Sequence, residues 1–198
     1  MAEWAGTSIL TTPRLLLRTF RRDDLPHYAA LNSDPEVVRY LGGPLTPAQS
    51  TSIAEWAQEL YAGEGIGLVA VERLSDGAFL GMCGLHRLQS FPDDVEVAWR
   101  LAHPYWGCGY ATEAASAWVD HAFTTLGLHR VISITDPPNL RSLAVMHRLG
   151  MVFEREAEVE EDGERFLAVV HAVTAEQWTS RAERPACTCT TRAPPVTA

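Results

Sequence analysis

A chain of 198 residues, 46% hydrophobic and 21% charged, is sized for one globular domain with a sizeable core. Its formal net charge of −9 weighs against non-specific nucleic-acid binding and is compatible with attracting amines. No apolar run approaches the ~20 residues of a membrane span. The start, Met1-Ala2-Glu3-Trp4, lacks a signal-peptide pattern, and four scattered cysteines form no disulfide framework, so a cytoplasmic protein is expected.

Residues 1–12 read as a loose lead-in to a domain spanning 13–178. Residues 14–20 form a first strand. Asp23 and Asp24 cap a short helix running to about Asn32, and Ser33-Asp34-Pro35 breaks it. Residues 36–41 add a turn or two, and Gly42-Gly43-Pro44 is a loop. Thr46 then caps a long helix, with Pro47 at its first position and Gln49 completing a capping box. Its Ile53, Trp56, Ala57, Leu60 and Tyr61 recur at helical spacing, which reads as core packing. Residues 68–74 and 78–88 make a hairpin about Ser75-Asp76-Gly77, and 89–94 are a polar loop.

Residues 95–101 alternate as a strand, and 110–126 follow a helical pattern closed by Gly127. Residues 129–136 are a β-branched strand stopped by Pro137-Pro138. Asn139 caps a helix that closes at Gly150. A last hairpin pairs 152–159 with 165–173 about Glu161-Asp162-Gly163. Glu154, Glu156, Glu158, Glu160, Glu161, Asp162 and Glu164 crowd this hairpin, either as a solvated strand face and turn or as a negative rim beside a cleft. Residues 179–198, with Cys187-Thr188-Cys189, have little to bury and read as a disordered tail. Hairpins mixed with one parallel crossover predict an α+β fold on a mixed, mostly antiparallel sheet with helices on both faces.

The stretch that organises the chain is Trp106-Gly107-Cys108-Gly109-Tyr110-Ala111-Thr112-Glu113-Ala114. A strand leads into a glycine loop, and the loop opens a helix. The first helical turn leaves N–H groups without partners at the positive end of the helix dipole. Glycines remove the side chains that would block a ligand, so the stretch suits a phosphate. The bland alternative is a helix start with glycines for a tight turn. The spelling excludes a P-loop, which needs Gly-Lys-Ser/Thr, and a dinucleotide fingerprint, which needs a third glycine.

Trp106-x-x-Gly109-x-Ala111 resembles the pyrophosphate-binding loop of the GNAT acetyltransferases. The run Tyr105-Trp106-Gly107 through Ala114 is similar to the branch containing the bacterial Rim-type enzymes, which acetylate ribosomal-protein N-termini. The resemblance covers roughly residues 13–178. It implies the GNAT fold and an acetyl-CoA-dependent N-acetyltransferase working by direct transfer in a ternary complex. It also implies a cofactor cleft formed by Trp99, Leu101, Trp106, Gly107, Cys108, Gly109, Tyr110, Ala111, Thr112 and Asn139. The acceptor is a primary amine, with a protein N-terminus slightly favoured over a small molecule. A silent acyl-CoA-binding module is a further alternative, and either a monomer or a homodimer fits. No nucleic acid, membrane or metal is implied, and the seven histidines show no metal-ligand spacing.

Acetyl transfer to an amine needs a base for the amine, donors for the oxyanion and an acid for the departing thiolate. Glu96 shares one strand face with Ala98 and Arg100, while Val95, Val97, Trp99 and Leu101 share the other. The resemblance makes Glu96 the base, directly or through water; the alternative is a Glu96–Arg100 ion pair. The resemblance also puts a strand amide near Ala98 to Leu101 at the oxyanion. Asn139-Leu140-Arg141-Ser142 matches the superfamily's next helix start, and Arg148, Leu149, Gly150 and Met151 complete that match. The aromatic acid often found there is Met146, which cannot donate a proton. In the Rim-type branch the acid is the serine, here Ser142. The structural alternatives are Asn139 as an N-cap, Ser142 as a first-turn residue and Met146 as core. Cys108 stands where relatives often carry Lys, Arg or Gln, so backbone amides are left a larger share of the phosphate binding.

Overall fold

The strands of this chain pair into one sheet because their apolar residues alternate, giving it a different buried set on each face. The structure, a computed structural model, describes residues 4–161 and 164–182. Among these, the strands are β1 (Ser8–Thr11), β2 (Leu15–Arg18), β3 (Leu68–Arg73), β4 (Phe79–Leu88), β5 (Phe91–Leu101), β6 (Arg130–Thr135), β7 (Val152–Glu161) and β8 (Glu164–Thr174). The helices are α1 (Leu25–Ser33), α2 (Pro47–Glu64), α3 (Tyr110–Thr124), α4 (Leu140–Arg148) and α5 (Ala175–Ala182). The sheet order is β1-β2-β3-β4-β5-β6-β8-β7, antiparallel except where β5 meets β6. Helix α3 is the crossover that joins those two parallel strands.

Period-2 alternation sends Val69, Val71, Cys83, Leu85 and Val97 to one face, where Trp118 and Val119 of α3 and Met146 of α4 complete the main core. Leu68, Ala70 and Met82 point to the other face, against Tyr28 and Leu31 of α1 and Ala54 and Ala57 of α2. The expected α+β architecture with helices on both faces is therefore present. Helix α2 starts as expected. The Thr46 hydroxyl accepts from the Gln49 amide at 3.3 Å, Gln49 Oε1 accepts from the Thr46 amide at 2.9 Å, and Gly65 ends the helix in the left-handed region. No helix among the described residues is long and apolar enough to cross a membrane.

Four expectations are corrected. The lead-in contains β1, whose residues pair with β2 at the sheet edge; a strand of this length carries too little periodicity to read. Residues 89–94 are not all loop. Phe91 pairs with Leu88 and packs on Ile132, Val170 and Ala172, so β5 begins there. Helix α3 stops at Thr124 rather than at residue 126. Helix α5 runs past residue 178, because Trp178 Nε1 donates to Asp120 and Arg181 donates to the Arg148 carbonyl. The Asp162-Gly163 turn, Cys187, Cys189 and the rest of the tail beyond 182 lie outside the described residues.

Candidate active site

The parallel neighbours β5 and β6 share a single residue pair, Glu96 with Ile132. By contrast β5 pairs with β4 continuously from Glu96–His86 to Leu101–Gly81. The Ala102 amide donates to the Leu80 carbonyl at 2.9 Å, which fixes the parity of the ladder. Even-numbered residues of β5 direct their main-chain groups to β4, and Val95, Val97, Trp99 and Leu101 direct theirs toward β6. A parallel ladder continued past Glu96–Ile132 would take the Ile134 N–H to the Val97 carbonyl. Here the Ile134 N–H donates to Glu96 Oε1 at 3.0 Å. A side chain has replaced a ladder bond, and the strands fork from that point.

Glu96 therefore sits at the apex of the fork, 5% exposed. Its Oε2 lies 3.0 Å from His86 Nε2, on the same face of the neighbouring strand. Trp56 of α2 meets the His86 ring edge-on at 6.3 Å and is itself 45% exposed. Arg100 Nη1 donates to Asn32 Oδ1 at 2.7 Å, and Asn32 donates to Ser50. The carboxylate thus bonds His86 and a β6 amide, while Arg100 engages α1. The expected facing set holds: Val95, Val97, Trp99 and Leu101 belong to the main core and Ala98 to the opposite one.

Beyond the apex, the main-chain groups of Trp99 and Leu101 point into the fork. The Leu101 carbonyl accepts from Trp106 Nε1 at 2.7 Å, which folds the loop back onto the end of β5. The loop itself turns at Gly107, φ 76°, and at Gly109, φ 81°, the residue that precedes α3. A Cβ built on Gly107 would meet nothing within 4 Å, and one on Gly109 only Arg14 Nη2 at 3.4 Å. These glycines leave open space before the amides of Tyr110, Ala111 and Thr112, which open α3 without an intrahelical acceptor. Cys108 is exposed, with its Sγ 3.7 Å from the Trp106 carbonyl.

On the β6 side of the fork, Asn139 ties strand to helix. Its Nδ2 donates to Thr135 Oγ1 at 2.9 Å, and its Oδ1 accepts from the Ser142 amide at 3.3 Å, so it caps α4. Ser142 is half-buried, and its hydroxyl makes no hydrogen bond among the described residues. Met146 is fully buried in the core.

Three arginines border the site, and of these Arg14 carried no local signal in the sequence. Arg14, at the mouth of β2, donates to the Cys108 carbonyl at 3.0 Å and to Glu113 Oε2 at 2.6 Å, and covers the Tyr110 ring. Arg141 lies over the Trp106 ring at 4.7 Å, and Arg148 Nη1 donates to Thr112 Oγ1 at 3.4 Å. Among the described residues no group of three or more His, Cys, Asp or Glu could hold a metal.

The strand fork thus holds a carboxylate at its apex and a glycine-opened helix start at its mouth. The profile of the acetyltransferase (GNAT) domain matches residues 14–152, and the chain belongs to this family. The Bacillus subtilis protein YkkB is 32% identical over 148 residues, covering 74% of this chain and 86% of that protein. The FsC-acetyl coenzyme A-N(2)-transacetylase of Aspergillus fumigatus is 29% identical over 192 residues, covering 90% of this chain and 81% of that protein. The structure of Mycobacterium smegmatis RimJ in complex with CoA-disulfide superposes with a TM-score of 0.68 over 82% of this chain and 83% of that one; at 22% identity it shows the shared fold. The chain is an N-acetyltransferase of the GNAT family.

Proposed function

We propose that this enzyme transfers the acetyl group of acetyl-CoA directly to a primary amine, with a protein N-terminal α-amine as the favoured acceptor. Glu96 at the apex of the fork is the observation that carries the reading. A buried carboxylate with one oxygen on an amide and the other on an imidazole is held as an oriented proton acceptor. It takes the amine proton, directly or through a water, as the nitrogen attacks the thioester carbonyl. The oxyanion is met by a β5 amide of the fork, with the Trp99 and Leu101 N–H groups aimed there by the ladder parity. The Ser142 hydroxyl, which has no hydrogen-bond partner among the described residues, gives its proton to the departing thiolate. The loop from Trp106 to Thr112 takes the diphosphate on its amides, and Asn139 borders the chain of the cofactor beside the fork.

A small-molecule amine is the second reading. It is favoured by the fungal transacetylase, which matches nearly the whole of this chain, and by Trp56, an exposed indole beside the His86–Glu96 pair. Thiol release from acetyl-CoA, followed over a panel of N-terminal peptides and small amines, tests both. Peptide turnover with acetylation mapped to the α-amine supports the first reading. Turnover of small amines alone replaces it with the second.

A further inference from the structure

Glu96 lies on the sheet face that α1 and α2 cover, the face it shares with Ala98 and Arg100. Exposure along that face rises at the fork. Glu96 is 5% exposed, whereas Ala98 and Arg100 are each half-buried. A small side chain therefore stands directly beyond the carboxylate, and a guanidinium stands beyond that. His86 borders the carboxylate on the β4 side at 3.0 Å, and the Ile134 amide borders it on the β6 side. That leaves Ala98 and the flank of α2 to line an approach on this face.

The flank is apolar. Ile53 and Trp56 stand three residues apart on α2, so they are neighbours on one side of the helix. Ile53 is half-buried and packs in the same cluster as Ala98. Trp56 meets the His86 ring edge-on, with centroids 6.3 Å apart, and is 45% exposed. Helical spacing reads Trp56 as core, yet nearly half of its surface meets water beside the His86–Glu96 pair. An exposed indole at that place suits an apolar or aromatic group, or a cation. Arg100 decides between them. Its guanidinium is a fixed positive charge at the outer end of the same strand face, held at 2.7 Å by Asn32, and it disfavours a second cation there.

We propose that Ile53, Trp56 and Ala98 form an apolar slot that selects acceptors with an apolar or aromatic group beside the reacting amine. Trp56 determines this specificity. The proposal rests on the reading of Glu96 as the base. The amine reaches Glu96 while its substituent covers the indole, and the apolar surface removed from water favours such an acceptor over an unsubstituted one. A peptide with a large apolar first residue carries this group, and so does a small arylalkylamine.

Steady-state thiol release from acetyl-CoA by the full chain tests it. One arm uses peptides that differ only in their first residue: phenylalanine, leucine, glycine or lysine. The other uses 2-phenylethylamine, ethylamine and 1,4-diaminobutane, so the two arms separate the sources of the same group. Within an arm the apolar members are expected to show about tenfold higher kcat/KM than the glycine peptide or ethylamine. Trp56→Ala is expected to remove most of that preference through the acceptor KM, with the KM for acetyl-CoA unchanged; its melting temperature reports folding. Trp56→Phe is expected to keep the preference. Wild-type protein that prefers the lysine peptide or the diamine, or that shows no preference, overturns the slot. So does a folded Trp56→Ala with the wild-type preference. The underlying base reading fails in a different way: turnover that is unchanged in Glu96→Gln removes Glu96, whatever Trp56 selects.

Discussion

His86 and Glu96 face each other across the β4–β5 ladder with Nε2 and Oε2 3.0 Å apart, and both side chains are less than a tenth exposed. A carboxylate can only accept, so the bond requires the hydrogen on Nε2. Glu96 Oε1 is held independently by the Ile134 amide. The carboxylate is thus pinned at both oxygens, each retaining a lone pair for a water or an amine. His86 lies on a strand that holds no other candidate of the proposed mechanism, so any part it plays there would run through Glu96.

Removing that donor should slow turnover. His86→Leu is expected to lower kcat about 10–100-fold, the worth of one hydrogen bond to a charged group, with the KM for acetyl-CoA within twofold. His86→Gln, which can still offer an N–H, should recover part of the loss. In a Glu96→Gln background His86→Leu should add little further, because the two act as a unit. Steady-state kinetics on an accepted amine decides; a fully multiplicative double variant would detach His86 from Glu96.

Arg14 links the first strands to the glycine loop over 94 residues of sequence, through the Cys108 carbonyl at 3.0 Å. Burial pushes the Glu113 carboxyl up, but hydrogen bonds from Thr12 and Arg14 outweigh it and hold it below its ordinary value. A depressed carboxyl contributes stability above the unfolded pKa, near 4.3, that is lost as pH falls through the lower folded value. Arg14→Ala should therefore cost only ~1 kcal/mol of stability, since the guanidinium is half-exposed. Because the loop carbonyl loses its anchor, the Kd for acetyl-CoA should rise about 3–10-fold. Calorimetry beside a urea curve separates the two effects, and an unchanged Kd would show that the loop holds its shape unaided.

Much of this site's local structure is legible in the sequence. The strand, glycine loop and helix start were written in one contiguous stretch, and the Glu96–Ala98–Arg100 face followed from period two alone. The caps at Thr46 and Asn139 were readable because a cap is decided within four residues. What could not be read depends on register between distant segments. The fork exists because β5 and β6 pair only at Glu96–Ile132, and nothing local in either strand states that. His86 reaches Glu96 only through the hairpin register, and Arg14 reaches Glu113 only through the whole fold. The contacts of the Glu96 carboxylate with His86 and with the Ile134 amide come from donors on neighbouring strands, which no local pattern announces.

His171 gives a pH prediction. It is 4% exposed, its Nδ1 has no hydrogen-bond partner among the described residues, and His147 lies 5.8 Å away. Burial, then the neighbouring His147 charge, holds its pKa below the ordinary histidine value. The folded state then binds fewer protons than the unfolded one, so stability rises with pH between the lowered folded value and about 6.5. Acidification below ~6.5 should destabilise the protein, and His171→Leu should flatten that slope. Melting temperatures from pH 5 to 7.5 check it; an equally steep slope in the variant would assign the effect elsewhere.

Gly109→Val should abolish acetyl-CoA binding in a folded protein. At φ 81° a β-branched residue is strained whatever the space around it, at roughly 1–2 kcal/mol. Its Cβ would meet only the Arg14 guanidinium at 3.4 Å, so the domain can accommodate it. The added methyls would occupy the open side of the loop, the proposed seat of the diphosphate. Wild-type affinity in a folded variant would remove the loop from the cofactor site.

Ser142 separates chemistry from capping. The bond that starts α4 runs from the Ser142 amide to Asn139 Oδ1, so the Ser142 hydroxyl contributes nothing to it. Ser142→Ala should leave the cap intact and cost little stability, whereas Asn139→Ala should cost ~1 kcal/mol. If the hydroxyl protonates the thiolate, Ser142→Ala lowers kcat with little change in the KM for acetyl-CoA. General-acid help is typically worth 10²–10⁴-fold, or about 3–5 kcal/mol of barrier. The low end is expected here, because a CoA thiolate leaves readily and water can reach a half-buried position. The two variants thus move different observables: Asn139→Ala lowers the denaturation midpoint, and Ser142→Ala lowers the turnover number. An unchanged kcat in Ser142→Ala, with chemistry shown to be rate-limiting, would take Ser142 out of the mechanism. Met146 could not replace it, being a fully buried thioether with no proton to give, and solvent would then have to protonate the thiolate.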